Sequence, residues 1–203
     1  MQYSVLPLFS SPVSVFDINE DLSTLQKIKD YEYVTTESLG SLESYQTKSL
    51  NILLDFKEEQ KVFEKYFLIF VNDFLKMSTN KFRLTTSWGT MVKCGGFSQF
   101  HNHRNSLYSG VFYLDESDSA LEFQSYNIGP QELSTNEPTE WNIYNSKSWS
   151  IKPEKNRLVF FPSYLYHRIS KNFSVEPRYS LAFNFFVEGE IGSGDSMLNL
   201  TVK

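Results

Sequence analysis

Phe100-His101-Asn102-His103-Arg104-Asn105-Ser106-Leu107-Tyr108-Ser109-Gly110-Val111-Phe112-Tyr113-Leu114 is the stretch from which the rest of the chain can be read. It sets two imidazoles one residue apart and then runs into an apolar, β-rich segment. In extended backbone over 99–103, successive side chains alternate faces, so His101 and His103 point to one side. The chain has only three histidines, and the third, His167, falls in another segment that reads as a strand. Three neutral imidazoles drawn from two strands would form a facial metal site. A His-x-His pair by itself is more often solvated or simply hydrogen-bonded, so the pair needs support from elsewhere in the chain.

Support comes from Arg178-Tyr179-Ser180, eleven residues beyond His167 and again in a β-rich run. Arg178 and Ser180 share a strand face. A guanidinium beside a hydroxyl suits a carboxylate, because the Arg fork binds it bidentately and the hydroxyl adds a further donor. An ordinary salt bridge near a strand end is the plainer reading of Arg178. Asn184 has the same strand parity, faces the same interior, and is a candidate for touching substrate or cofactor. Trp88 and Tyr113 could line the same pocket, although large aromatics in strands are usually plain core. Asn102 and Arg168 should face away.

These pieces, in this order and spacing, resemble the double-stranded β-helix dioxygenases that use Fe(II) and 2-oxoglutarate. The closer resemblance is to a branch with His-x-His, Ser-Gly-Val-Tyr-Tyr-Leu, Phe-Pro-Ser before a distal His, and Arg-x-Ser. Here they are His101-Asn102-His103, Ser109-Gly110-Val111-Phe112-Tyr113-Leu114, Phe161-Pro162-Ser163 ahead of His167, and Arg178-Tyr179-Ser180. The resemblance covers residues 82–188, and more loosely the opening Leu6-Pro7-Leu8-Phe9.

It implies a jelly-roll, cupin-like fold with Fe(II) and 2-oxoglutarate as cofactors and O2 as cosubstrate. Oxidative decarboxylation of 2-oxoglutarate to succinate and CO2 would be coupled to oxidation of a substrate C–H, most simply a hydroxylation. His101, His103 and His167 would be the metal ligands, and Arg178 with Ser180 would hold the distal carboxylate of 2-oxoglutarate. One departure stands out. The usual triad is two histidines and a carboxylate, and His103 occupies the acid position. Either the triad is all-imidazole, or a carboxylate such as Glu122 arrives from the next strand, or only one of the paired histidines binds. A three-His cupin-like metalloprotein that does not use 2-oxoglutarate, and a non-catalytic jelly-roll binding module, are the competing readings. The primary substrate is not legible, because one fold hosts many chemistries.

Composition bounds the remainder. The 203 residues and 23.7 kDa fit one domain with a self-sufficient core. Within it, residues 1–80 read as N-terminal strands and supporting helices, 81–188 as the double-stranded β-helix core, and 189–203 as a tail. The fold class is mainly β (α+β) with one or two N-terminal helices. A net charge of −5 and a pI near 5.3 argue against a nucleic-acid partner. The single cysteine, Cys94, fits a reducing compartment. No signal peptide or membrane-length apolar run is evident, so a soluble cytoplasmic protein without a membrane partner is expected. Homodimerisation is left open.

Along the chain, residues 1–16 read as one or two edge strands, since Pro7 and Pro12 suit edges. Asp17–Asp30 reads as a weaker helix, with Leu22, Leu25 and Ile28 spaced by three. The polar stretch 31–50 reads as a loop folding over the site mouth or merely connecting. A strong helix is predicted over Phe56–Met77, N-capped by Asp55 with Glu58 three residues on, and striped by Phe63, Phe67, Phe70 and Phe74. This helix should back an outer face of the sheet. From Lys81 onward short strands alternate with turns, including one at Gly95-Gly96, in the pattern of a sandwich or barrel. The polar region 126–147, with Trp141 and Tyr144, is a candidate for substrate contacts. The C-terminal end reads either as a flexible tail or as a last strand packing on a neighbour.

Overall fold

The computed structural model describes residues 2–125 and 138–202. Eleven strands are formed: β1 (Ser14–Asp17), β2 (Tyr33–Thr35), β3 (Leu42–Thr47), β4 (Lys81–Phe97), β5 (Tyr108–Tyr113), β6 (Leu121–Gln124), β7 (Ser148–Ile151), β8 (Arg157–Pro162), β9 (Tyr166–Ile169), β10 (Arg178–Ile191) and β11 (Leu198–Leu200). The large sheet runs β1-β8-β5-β10-β4-β3-β2, with β11 on the far end of β10, and the small sheet runs β7-β6-β9. All named strand pairs are antiparallel.

Both faces of the large sheet are covered. On one face, Leu181, Phe183 and Phe185 of β10 join Phe112 and Phe160 against helix α1 (Lys57–Leu68). Phe63 stacks on Phe183 at 5.0 Å and Phe67 on Phe185 at 3.9 Å. On the other, Val111, Tyr113, Val159 and Phe161 meet Leu121 and Phe123 of the small sheet. The alternation along β10 therefore separates two environments: odd positions 181–185 feed the helix-side core, and even positions 178–184 face the small sheet.

Gly110 is required by that packing. A Cβ there would lie 2.3 Å from the Phe183 ring, and Phe183 is fully buried.

Several elements differ from their sequence reading. The helix keeps its aromatic stripe only as far as Val71, because Ile69–Phe74 widens into a π-helix. The i→i+5 bond from Leu75 N to Phe70 O shifts the register by one residue. Leu75 then packs on the core while Phe74 is 69% exposed. Phe56, not Asp55, occupies the N-cap position, without a side-chain cap bond. Asp55 instead accepts a hydrogen bond from Tyr31 Oη, and Glu58 pairs with Lys61.

Leu22, Leu25 and Ile28 are all buried, but residues Ser23–Asp30 form a 3-10 helix. A spacing of three is the repeat of that helix. Residues 31–50 hold strands β2 and β3 rather than a loop. Gly95-Gly96 does not end a strand: β4 continues through it as a bulge, with Gly95 at φ +80° and the β3–β4 register shifting between Leu42 and Ser44. The chain end pairs β11 with β10 of the same chain. Residues 126–137 of the polar 126–147 region lie outside the described residues. No described helix is long and apolar enough to cross a membrane.

Candidate active site

Beyond Phe97 the chain leaves the large sheet and runs beside β9. Ser98 N donates to Ile169 O, His101 and His167 exchange two backbone bonds of 3.0 and 2.9 Å, and His103 N donates to Ser163 O. This ladder fixes side-chain direction. His101 and His167 are directly opposed, and parity brings His103 to the same side. The three rings lie 4.5–5.3 Å apart between centroids, and one ring nitrogen from each falls within 4.8 Å of the others.

The second nitrogen of each ring decides what the first can do. Nδ1 of His101 sits 2.9 Å from Gln99 O, and Nδ1 of His167 sits 2.8 Å from Leu165 O. Nδ1 of His103 lies 2.8 Å from both Asn184 Oδ1 and Ser109 Oγ. Carbonyl and amide oxygens can only accept, so each Nδ1 carries the proton and each Nε2 keeps its lone pair. Burial holds His103 and His167 neutral. The His103 pKa is pushed down to about 4, mainly by desolvation and partly opposed by its bond to Asn184. His167 is lowered well below the ordinary histidine value, again chiefly by burial. A neutral imidazole whose Nδ1–H is held by an oxygen acceptor is what metal ligation requires.

Glu122 does not reach this cluster. Its position on β6 pairs with Arg168, the position beside His167 and of opposite parity. There the two side chains form a 2.6 Å ion pair. The small sheet points them to the face away from the imidazoles, as expected for Arg168. Asn102 donates to Tyr164 O, and Trp88 packs on the His103 ring at 5.6 Å.

The cleft between the sheets has a volume of about 570 Å³, and its wall includes all six residues singled out in the sequence: His101, His103, His167, Arg178, Ser180 and Asn184. Arg178 is fully buried, only 2% exposed. Its guanidinium lies over the Tyr113 ring at 5.1 Å, and its Nε and Nη1 have no hydrogen-bond partner among the described residues. Burial lowers its pKa and raises that of Tyr113. A buried cation with donors unspent calls for an anion. Ser180 Oγ shares a 2.6 Å hydrogen bond with Thr90 Oγ1. Asn184 accepts from Ser109 Oγ, and its Nδ2 donates to Thr86 Oγ1.

Two features of the wall were not legible beforehand. One is the hydroxyl chain Ser109–Ser163–Ser106 behind Asn184 and His103. The other is that the wall from 31–50, anticipated as a loop over the site mouth, is built by strand β3 and the segment before it, including Thr36, Leu39 and Tyr45. Serine and threonine are common on strands, and a polar strand lacks the apolar alternation that would have marked it.

Residues 86–184 match the sequence model of the family described as "Putative 2OG-Fe(II) oxygenase". This match, just under half of the chain, places the segment among the 2OG-Fe(II) oxygenases. The matched segment contains every one of the six cleft residues named above. No curated protein matches the chain.

Among solved structures, the chain is similar to a prolyl-4-hydroxylase from Pseudomonas putida, at 14% identity and a TM-score of 0.59 over 89% of this chain and 95% of that one. It is also similar to HygX from Streptomyces hygroscopicus, solved with nickel, 2-oxoglutarate and hygromycin B bound, at 9% identity and a TM-score of 0.57 over 86% and 82%. A third is a prolyl hydroxylase from Trichoplax adhaerens in complex with a hypoxia-inducible-factor peptide, at 12% identity and a TM-score of 0.57 over 87% and 84%. At these identities the likeness establishes the fold, a double-stranded β-helix. The family matched over residues 86–184 is one of oxygenases that use Fe(II) and 2-oxoglutarate.

Proposed function

We propose that His101, His103 and His167 hold the Fe(II) of this oxygenase through Nε2, and that Arg178 and Ser180 receive the distal carboxylate of 2-oxoglutarate. The reaction read from this site is hydroxylation of an aliphatic C–H. The observation that carries the reading is the buried Arg178 fork, with Nε and Nη1 unpartnered, in the same cleft as three imidazoles whose protons are committed elsewhere. With its cofactors bound, such a centre uses O2 and 2-oxoglutarate to place one oxygen atom in the substrate C–H bond as hydroxyl and the other in succinate, releasing CO2.

The protein's own contribution is orientation and exclusion of water. The two backbone hydrogen bonds between His101 and His167 fix the spacing of two proposed ligands. Asn184 acts on His103 rather than on the cosubstrate: its Oδ1 accepts from His103 Nδ1, and its Nδ2 is spent on Thr86. That bond selects the tautomer and aims Nε2 into the cleft. Arg178 is held rigid by burial and by the Tyr113 ring below it, so its fork is oriented before the carboxylate arrives.

Anaerobic titration of metal-free protein with Fe(II) and then 2-oxoglutarate tests the assignment. The weak visible charge-transfer band of the chelate is expected only when both are present. His167→Ala should abolish it, and Arg178→Ala should weaken 2-oxoglutarate at least about tenfold while leaving metal affinity nearly intact. Metal binding without a band would favour the three-His centre that uses no 2-oxoglutarate. An unchanged band in Arg178→Ala would remove Arg178 from the cosubstrate site.

A further inference from the structure

One charged residue of the cleft has no role in that scheme. Arg104 follows His103 directly, is exposed, and lines the cleft. Its backbone is pinned on both sides, by His103 N to Ser163 O and by Leu107 N to Phe185 O. The turn between them is fixed by Asn105 at φ +59°. The guanidinium is therefore tethered to a held segment of the rim.

The chain has five arginines, and their partners differ by location. Arg83 lies near Glu188, Arg157 pairs with Asp17 and Glu154, and Arg168 pairs with Glu122. Arg104 and Arg178 alone have no carboxylate partner among the described residues, and both are in the cleft. Among the described residues, none that lines the cleft is Asp or Glu, although acidic residues outnumber basic ones in the chain, 24 to 19. The cleft is thus a cationic region on an anionic protein.

Charge accounting sharpens this, and here the argument rests on the function proposed above. With three neutral imidazoles, the dianion 2-oxoglutarate offsets the two charges of the metal. A carboxylate in the position of His103 would have offset one more. Two positive charges remain in the sum: with Arg178 paired to the distal carboxylate, one stays at the metal and the other on Arg104. A substrate that entered and displaced water from the rim would leave Arg104 desolvated without a counter-charge, unless it brought one.

We propose that the primary substrate is a small molecule bearing a carboxylate, which pairs with Arg104 at the rim while the C–H to be oxidised reaches the metal. A carboxylate fits better than a phosphate. The cleft wall offers one free guanidinium fork and no lysine, which matches a planar monoanion. The same field favours capture of an anion over a cation or a neutral molecule.

The test uses zinc-substituted, 2-oxoglutarate-loaded protein with N-acetyl-L-leucine and N-acetyl-L-leucinamide, a pair matched in shape of which only the first bears a carboxylate, by saturation-transfer NMR. The acid is expected to bind at least about tenfold more tightly than the amide, and to weaken as salt is raised. Arg104→Gln should bring the acid down to the level of the amide while 2-oxoglutarate affinity stays unchanged. Equal binding of acid and amide, no binding of the acid, or an Arg104→Gln protein that binds the acid normally would each overturn the proposal. Loss of 2-oxoglutarate in Arg104→Gln would also overturn it, by placing Arg104 in the cosubstrate site. Failure of 2-oxoglutarate to bind the unmodified protein would instead strike the proposed function on which it rests.

Discussion

His103 occupies the position where the family pattern has a carboxylate, and its surroundings account for how an imidazole can stand there. It donates from Nδ1 to a neutral amide, Asn184, which is itself fixed by Thr86 and backed by Ser109 and Ser163. Removing that acceptor should loosen the ligand without touching the metal. Asn184→Ala is expected to lower metal affinity about 10- to 100-fold, read by competition with a chelator. Asn184→Asp, which keeps an oxygen acceptor at the same place, should recover most of the loss. Full affinity in Asn184→Ala would mean that Ser109 alone orients the ring. At this scale the sequence was informative for residues with distinctive chemistry. Three histidines and an Arg-x-Ser at strand parity stand out in any chain. The hydroxyls of Thr86, Thr90, Ser109 and Ser163 do not, because nothing in a strand sequence separates a network serine from a surface one.

Among the elements, β5 and β10 show what strand parity controls. Gly110 lets β5 approach the Phe183 ring, which stacks on Phe63 of α1. Gly110→Ala should therefore overpack the helix-side core, costing about 1–3 kcal/mol, measured as a lower denaturant midpoint with unchanged slope. The proposed metal site lies on the other face, so metal affinity in the folded variant should be near normal. Elements with a strong apolar period were legible: α1 begins where its stripe predicts, and β5 and β10 fall in the runs that read as β-rich. Those lacking it were not. β3 has buried Ser44 and Thr47 on a strand of mixed character. Its partners are the β4 backbone and a polar cleft, so no apolar alternation advertises it. The π-helix at Ile69–Phe74 is a different failure: the aromatic spacing continues through Phe74, but the Leu75 N to Phe70 O bond turns Leu75 rather than Phe74 onto the core.

Across the whole molecule, the site is also a stability liability in acid. His103 has a folded pKa of about 4 against an ordinary value of 6.5. Between these values the unfolded chain binds a proton that the folded chain refuses, so folding stability is complete above pH 6.5 and falls as pH drops toward 4. The loss from this residue is on the order of 3 kcal/mol, and His167 adds to it in the same direction. Metal-free protein should accordingly melt at a distinctly lower temperature at pH 4.5 than at pH 7. A flat profile across that window would mean that the rings are hydrated and titrate normally. The sequence by itself determined which side chains could do chemistry and on which strand faces they lie, because residue type and a two-residue period are local properties. Only the tertiary structure decided that Glu122 is turned away with Arg168, that Asn184 serves His103, and that Arg104 and Arg178 are the arginines left without carboxylates. Each of those depends on which strands become neighbours across and between two sheets, and pairing between distant segments is set by the packing of the whole core rather than by any stretch of chain.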